Sequence, residues 1–203
     1  MSKIEFFFDC SSPWTYLAFE GIEDLSSRCP DVEIEYRPIL VGGVFNSVNP
    51  SVYQNRDNPV PVKQAYGKKD MQDWATLLGV KIGEPPVFPV NSVKAMRGAF
   101  VALDAGCLVP YARQVFQRYW SELADISQDE VLESIVRDVG LNETDFFAKI
   151  KEQNYKDRLR INTEELVKRG GFGSPTMYLN DDDMYFGNDR IALIEAKLKK
   201  ANA

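Results

Sequence analysis

The run Asp9-Cys10-Ser11-Ser12-Pro13-Trp14-Thr15 concentrates reactive groups: one carboxylate, one thiol and three hydroxyls between the apolar stretch Phe6-Phe7-Phe8 and a segment with helical spacing. Ser12 followed by Pro13 has the form of a helix N-cap with proline at the first helical position. A helix N-terminus carries unpaired N–H groups and the positive end of the helix dipole, and both favour an anion. On these residues alone Ser12 is either a cap and nothing more, or a hydroxyl that donates to an anion drawn to the helix end. The chain has no histidine. That removes Ser-His triads, imidazole acid–base chemistry and most zinc sites, and no metal centre is expected. Chemistry here must use hydroxyls, carboxylates, amines or a group borrowed from a ligand.

The three cysteines, Cys10, Cys29 and Cys107, are odd in number and not closely spaced, so they do not form a disulfide framework. Cys10 is expected to be a small buried residue rather than a redox thiol. The 203 residues, 44% of them apolar, suffice for one sizeable core or one core with a large insertion. A net charge of -6 without a long Lys/Arg run argues against nucleic acid as a partner, since that affinity comes largely from neutralising phosphates. No window approaches the roughly 20 apolar residues of a membrane span, so no membrane partner is expected. The N-terminus lacks the apolar core and cleavage site of a signal peptide. A cytoplasmic location, or an organelle matrix, is the resulting expectation.

Several elements must position that run. Lys3 to Phe8 reads as a central strand buried on both faces. Val32, Ile34 and Tyr36 alternate with Glu33, Glu35 and Arg37, a half-buried strand ending at Pro38. Between them Trp14, Leu17, Ala18, Ile22 and Leu25 mark one face of a helix, which is long enough for a right-handed crossover between parallel strands. Thr176 to Leu179 and Met184 to Phe186 flank a turn-rich link and read as a hairpin, and a last helix opens at Asn188. The middle shows helical spacing: Met71, Trp74, Ala75 and Leu78; Val93, Met96, Ala99, Phe100 and Leu103; Val115, Phe116, Tyr119, Trp120 and Leu123. The Pro-rich segments Asn58 to Val62 and Glu84 to Pro89 read as loops.

A β-α-β unit, a helical insertion, a hairpin and a terminal helix are the parts, in order, of an α/β thioredoxin-like fold interrupted by an all-helical insertion domain. Residues 1–63 and 170–203 would form the discontinuous thioredoxin-like domain and residues 64–169 the insertion. In that fold the active atom sits at the N-terminus of the first helix, where disulfide oxidoreductases carry Cys-x-x-Cys. Here those positions are Ser12-Pro13-Trp14-Thr15 and both sulfurs are missing. The fold also places a cis-proline at the start of its third strand, facing the first helix; Ser174-Pro175 fits, although a turn proline opening a strand has the same local sequence.

The motif Phe8-Asp9-x-x-Ser12-Pro13-x-x-Tyr16-Leu17-Ala18 is followed in order by Leu40-Val41-Gly42-Gly43, Asn49, Pro61-Val62-Lys63, Phe88-Pro89-Val90-Asn91-Ser92 and Ala95-Met96-Arg97. Trp120 with Asp125-Ile126, Phe172-Gly173-Ser174-Pro175-Thr176 and Phe186-Gly187-Asn188-Asp189-Arg190 complete the set. This ordered set resembles the kappa class glutathione transferases and the related glutathione-dependent 2-hydroxychromene-2-carboxylate isomerases, within the DsbA-like thioredoxin superfamily. The resemblance implies an enzyme, a homodimer, with glutathione as cofactor and a small aryl or electrophilic substrate, as in aromatic catabolism. Ser12 would hydrogen-bond the glutathione sulfur. The backbone of Ser174, beside Pro175, would pair with the cysteinyl unit. Asp189 with its neighbours Asn188 and Arg190 would take the γ-glutamyl end, although helix capping also accounts for Asn188 and Asp189. Lys63 and Asn49, on loops, would meet the glycyl carboxylate or an anionic substrate, and Trp14 would wall the substrate pocket. Phe45, Tyr53 and Tyr66 could wall it too, although aromatic residues of this kind are more often core.

Such a site is energetically sufficient without histidine. Lowering a thiol from a pKa near 8.5 to about 6.5 takes roughly 2.7 kcal/mol. A hydrogen bond to a charged acceptor supplies about 1.5–3 kcal/mol and a helix N-terminus about 0.3–2 kcal/mol. The implied reaction is a glutathione-dependent isomerisation. The alternatives are conjugation or peroxide reduction at the same site, as in a kappa transferase, or a binding protein that has lost catalysis.

Overall fold

The computed structural model describes residues 2–201. Its four strands form one sheet in the order β2-β1-β3-β4. β1 (Ser2–Phe8) runs parallel to β2 (Val32–Pro38), with Ser2 opposite Val32 and Phe8 opposite Pro38. β3 (Thr176–Leu179) is antiparallel to β1, and β4 (Asp183–Phe186) is antiparallel to β3. The parallel pair requires a crossover, which α1 (Pro13–Arg28) supplies. This is the α/β, thioredoxin-like order of parts expected from sequence, with a long helical segment between β2 and β3.

The C-terminal end of β1, Phe6-Phe7-Phe8, is apolar on both faces because both are covered there. Ile4, Phe6 and Phe8 enter the main core with Leu17 and Ile22 of α1, whereas Phe7 packs with Ile39, Val44, Leu166 and Tyr178 on the other side of the sheet. Each such side chain contributes about 1.5–3 kcal/mol on burial, so the chain leaves β1 at a fixed point and in a fixed direction. α1 starts there for local reasons. Ser12 is extended (φ −107°, ψ 125°) and its Oγ accepts the Thr15 N–H, Pro13 occupies the first turn, and Arg28 complements the dipole at the far end.

The helical segment comprises α2 (Val41–Val48), α3 (Ser51–Asp57), α4 (Pro61–Leu78), α5 (Val93–Asp104), α6 (Leu108–Phe116), α7 (Asp129–Asp138), α8 (Glu143–Lys149) and α9 (Gln153–Lys168). Three sequence expectations need correction. Pro61-Val62-Lys63 is the first turn of α4 and not a loop, because proline at the first helical position loses no needed hydrogen bond. Leu123 is not on the α6 face: the helix widens into a π turn over Gln117–Ser121, and Leu123 lies beyond it with φ 62°. The chain after β4 forms a 3-10 turn, Asn188–Arg190, and α10 (Ile191–Ala201) follows it. α2 and α3 had no counterpart in the sequence reading.

The main core continues from β1 and α1 into α5, α6 and α7. Two contacts lock the helical segment onto the β1–α1 link: Trp120 Nε1 donates to the Cys10 carbonyl at 2.9 Å, and the Cys10 N–H meets the Met96 sulfur at 3.4 Å. Among the described residues no helix is long and apolar enough to cross a membrane.

Candidate active site

Where β1 ends, Asp9 is fully buried. Its Oδ2 accepts the Val41 N–H of α2 at 2.8 Å and the Ser92 hydroxyl at 3.1 Å, and its Oδ1 accepts the Ser11 N–H at 2.9 Å. Burial pushes its carboxyl above the ordinary range, and these donors partly offset that. One carboxylate thus ties together the β1–α1 link, the start of α2 and the start of α5. The Asp9 N–H donates to Ser174 Oγ at 3.1 Å, which lies 2.8 Å from Thr15 Oγ1.

Ser12 joins this network from the cleft side. Its hydroxyl donates to the Ser174 carbonyl at 3.2 Å and accepts the Thr15 N–H at 3.3 Å. Pro13 has no N–H, so the Trp14 N–H is the first-turn donor left without a partner among the described residues. The Ser174–Pro175 peptide is cis, as expected for this fold, and so is Phe88–Pro89, which the sequence reading did not foresee. Cys10 is buried, and its thiol is pushed well above its ordinary value by burial and then by the Asp9 carboxylate. It offers no thiolate.

Ser12 opens onto a cleft of about 720 Å³, inside the roughly 300–1,000 Å³ typical of small-molecule sites. Ser12, Trp14, Asn49 and Ser174 all line it, with Pro175 buried behind Ser174. Asn49 caps the end of α2, and its Nδ2 donates to the Phe172 carbonyl at 3.2 Å. Lys63 is exposed on α4 and lines a neighbouring cleft of about 820 Å³ that shares Tyr53, Arg56, Phe88 and Pro89 with the first. The last three expected residues are not in the wall of the Ser12 cleft. Asn188 is buried with its Nδ2 unpartnered among the described residues, and Asp189 and Arg190 are exposed and pair with each other at 3.1 Å.

Sequence reasoning passed over Asp9, Arg56, Phe88, Phe172 and Phe186, all of which border the cleft. An acid directly after the apolar run Phe6-Phe7-Phe8 was a visible signal for Asp9. Tyr53 and Tyr66 are surface residues rather than core; Phe45 is half-buried and borders the Ser12 cleft, and Tyr53 borders both clefts. Arg97, in α5, has its Nε buried without a partner among the described residues.

Comparison with known proteins places the chain. A family model described as a DSBA-like thioredoxin domain matches residues 3–199. The 2-hydroxychromene-2-carboxylate isomerase of Pseudomonas putida is 32% identical over 96% of this chain and 93% of its own length. Glutathione S-transferase kappa 1 of Caenorhabditis elegans is 27% identical over 98% and 92%. A solved 2-hydroxychromene-2-carboxylate isomerase superposes with a TM-score of 0.84 at 27% identity, covering 98% of this chain and 95% of that one. These relatives are enzymes, and the chain belongs with them to the DsbA-like thioredoxin family, in the group of kappa class glutathione transferases and 2-hydroxychromene-2-carboxylate isomerases.

Proposed function

We propose that the chain is a glutathione-dependent isomerase of an unsaturated aryl substrate, with Ser12 holding the reactive sulfur as its thiolate. The observation that carries this reading is the position of Ser12. Its hydroxyl caps α1 at the edge of a small-molecule cleft, in the place where a dithiol enzyme of this fold has sulfur. Glutathione would supply the nucleophile that the chain itself lacks.

The donor set suits that ligand. The Ser12 hydroxyl now satisfies the Ser174 carbonyl; turning it toward a sulfur anion frees that carbonyl for the amide N–H of a cysteinyl unit beside Pro175. The unpartnered Trp14 N–H and the α1 dipole add to the same preference for an anion. Lys63 and Asn49 would hold carboxylates of glutathione or substrate, Trp14 would pack on the substrate, and Asn188, Asp189 and Arg190 would receive the γ-glutamyl end. The Asp189–Arg190 pair is exposed, so exchanging it for ligand groups costs little.

The kappa 1 relative supports a second reading, in which the same site ends in conjugation or peroxide reduction. The two differ in stoichiometry: an isomerase returns glutathione unchanged, whereas a transferase consumes it with an electrophile such as a chloronitroarene. The deciding experiment is a glutathione titration followed by thiolate absorbance across pH, on wild type and Ser12→Ala. A bound thiol pKa well below the free value, rising on loss of Ser12, is expected. Absence of binding, or a pKa indifferent to Ser12, would leave Ser12 a helix cap and favour a binding protein.

A further inference from the structure

We infer that Arg56 is the specificity-determining residue for the second substrate, selecting a planar aromatic molecule that carries an anionic group, such as an aryl carboxylate. This deepens the proposed function and rests on it.

Arg56 borders both the Ser12 cleft and the Lys63 cleft. Its guanidinium carbon lies 5.7 Å from the Phe45 ring centre and 5.3 Å from that of Phe88, so aromatic groups from α2 and from the segment before α5 hold it. Among the described residues every arginine except Arg56 and Arg97 sits in an ion pair. Arg97 is half-buried away from both clefts, which leaves Arg56, among the described residues, as the unpaired arginine in the walls of these two clefts. In a chain of net charge -6, an arginine left unpaired at a cleft is notable.

The chemistry follows from the way Arg56 is held. Aromatic faces attract a guanidinium without neutralising it and leave its in-plane N–H fork free, the geometry that receives a carboxylate through two bonds. The adjacent aromatics, Phe88 at 49% and Tyr53 at 36% exposure, offer ring faces to a planar ligand. Asp57 lines the same side cleft and opposes an anion, but Arg56 and Lys63 together outweigh it. A neutral aryl molecule would gain the ring contacts alone.

The test is calorimetric titration of 2-naphthoate and its neutral isostere 2-naphthamide into wild type and Arg56→Gln, without glutathione. Wild type is expected to favour the naphthoate by about tenfold or more, the range of one hydrogen bond to a charged group, with Arg56→Gln binding the two alike. No naphthoate binding by wild type, equal binding of both probes, or an equal loss of both in Arg56→Gln overturns the inference. So does a variant that keeps the discrimination but loses affinity for glutathione, since Arg56 would then belong to the glutathione subsite. The Ser12 reading fails separately, by absence of glutathione binding in wild type, and that result does not alter the naphthoate comparison.

Discussion

The wall of the cleft that carries Ser12 and the wall that carries Arg56 border the same space but are held by different means. Ser12 sits on a helix whose apolar face is buried, next to a strand covered on both sides, and within a network through Asp9, Thr15 and Ser174. Arg56 sits on α3, seven residues that bury none of their number, and is steadied by two ring faces. The first wall is preorganised, as the charge-stabilising role proposed for Ser12 requires. The second is tied to the fold by little and can change without disturbing it, as a wall that sets substrate choice should.

The contrast breaks most severely at Asp9. In Asp9→Ala the Val41 N–H, the Ser11 N–H and the Ser92 hydroxyl all lose their acceptor. At about 1–3 kcal/mol for each buried unsatisfied donor, a loss of roughly 3 kcal/mol or more is expected, read from the urea midpoint at unchanged slope. A loss under about 1 kcal/mol would mean that the Ser12 wall does not depend on this carboxylate. Asp9→Asn isolates the charge. Because the folded-state pKa is raised above its ordinary 3.8, the stabilising contribution is fully present below 3.8 and is lost as pH rises through the folded value. The asparagine variant has no such loss, so the advantage of wild type over Asp9→Asn should shrink from acid toward neutral pH. An advantage that grows with pH would show that the hydrogen bonds outweigh burial.

Ser12→Ala sharpens the comparison with a smaller effect on stability and a larger one on chemistry. Loss of the cap costs about 0.5–2 kcal/mol of stability. On the proposed role of Ser12, loss of its hydrogen bond to the glutathione sulfur should lower kcat/KM by about ten- to a hundredfold, with the thiol pKa rising in parallel. A fall in kcat/KM with the thiol pKa unmoved would assign Ser12 to positioning instead.

Much of the preorganised wall was legible in the sequence, because it is built from local signals: an apolar strand, a Ser-Pro cap, a helical face, and Ser174-Pro175 opening a strand. The burial of Asp9 was not, since its donors at Val41 and Ser92 come from segments remote along the chain. α2 and α3, at eight and seven residues, are too short to show a helical period. Arg56 gave no sequence signal: alone it reads as one more surface cation, and only the approach of Phe45 and Phe88 gives it a place. The assignment of Asn188, Asp189 and Arg190 to the γ-glutamyl end came from resemblance, and the three lie outside the wall of the Ser12 cleft.

The finest division between the walls lies within the Arg56 wall itself, between ring and charge. Phe88 is half exposed, its ring centre is 6.0 Å from that of Trp120, and it shares Arg56 with Phe45. Phe88→Leu keeps an apolar side chain but removes one of the two faces that hold the guanidinium. An exposed cation–π contact contributes about 0.5–1 kcal/mol, so naphthoate affinity should fall about two- to fivefold, with a smaller change for naphthamide and almost none in the urea midpoint. Retained discrimination between the probes in Phe88→Leu, set against its disappearance in Arg56→Gln, would show that the ring orients the guanidinium while the guanidinium does the selecting. If Phe88→Leu abolished the discrimination as completely as Arg56→Gln, the selecting unit would be the stacked pair, and the looser wall would be more organised than its exposure suggests.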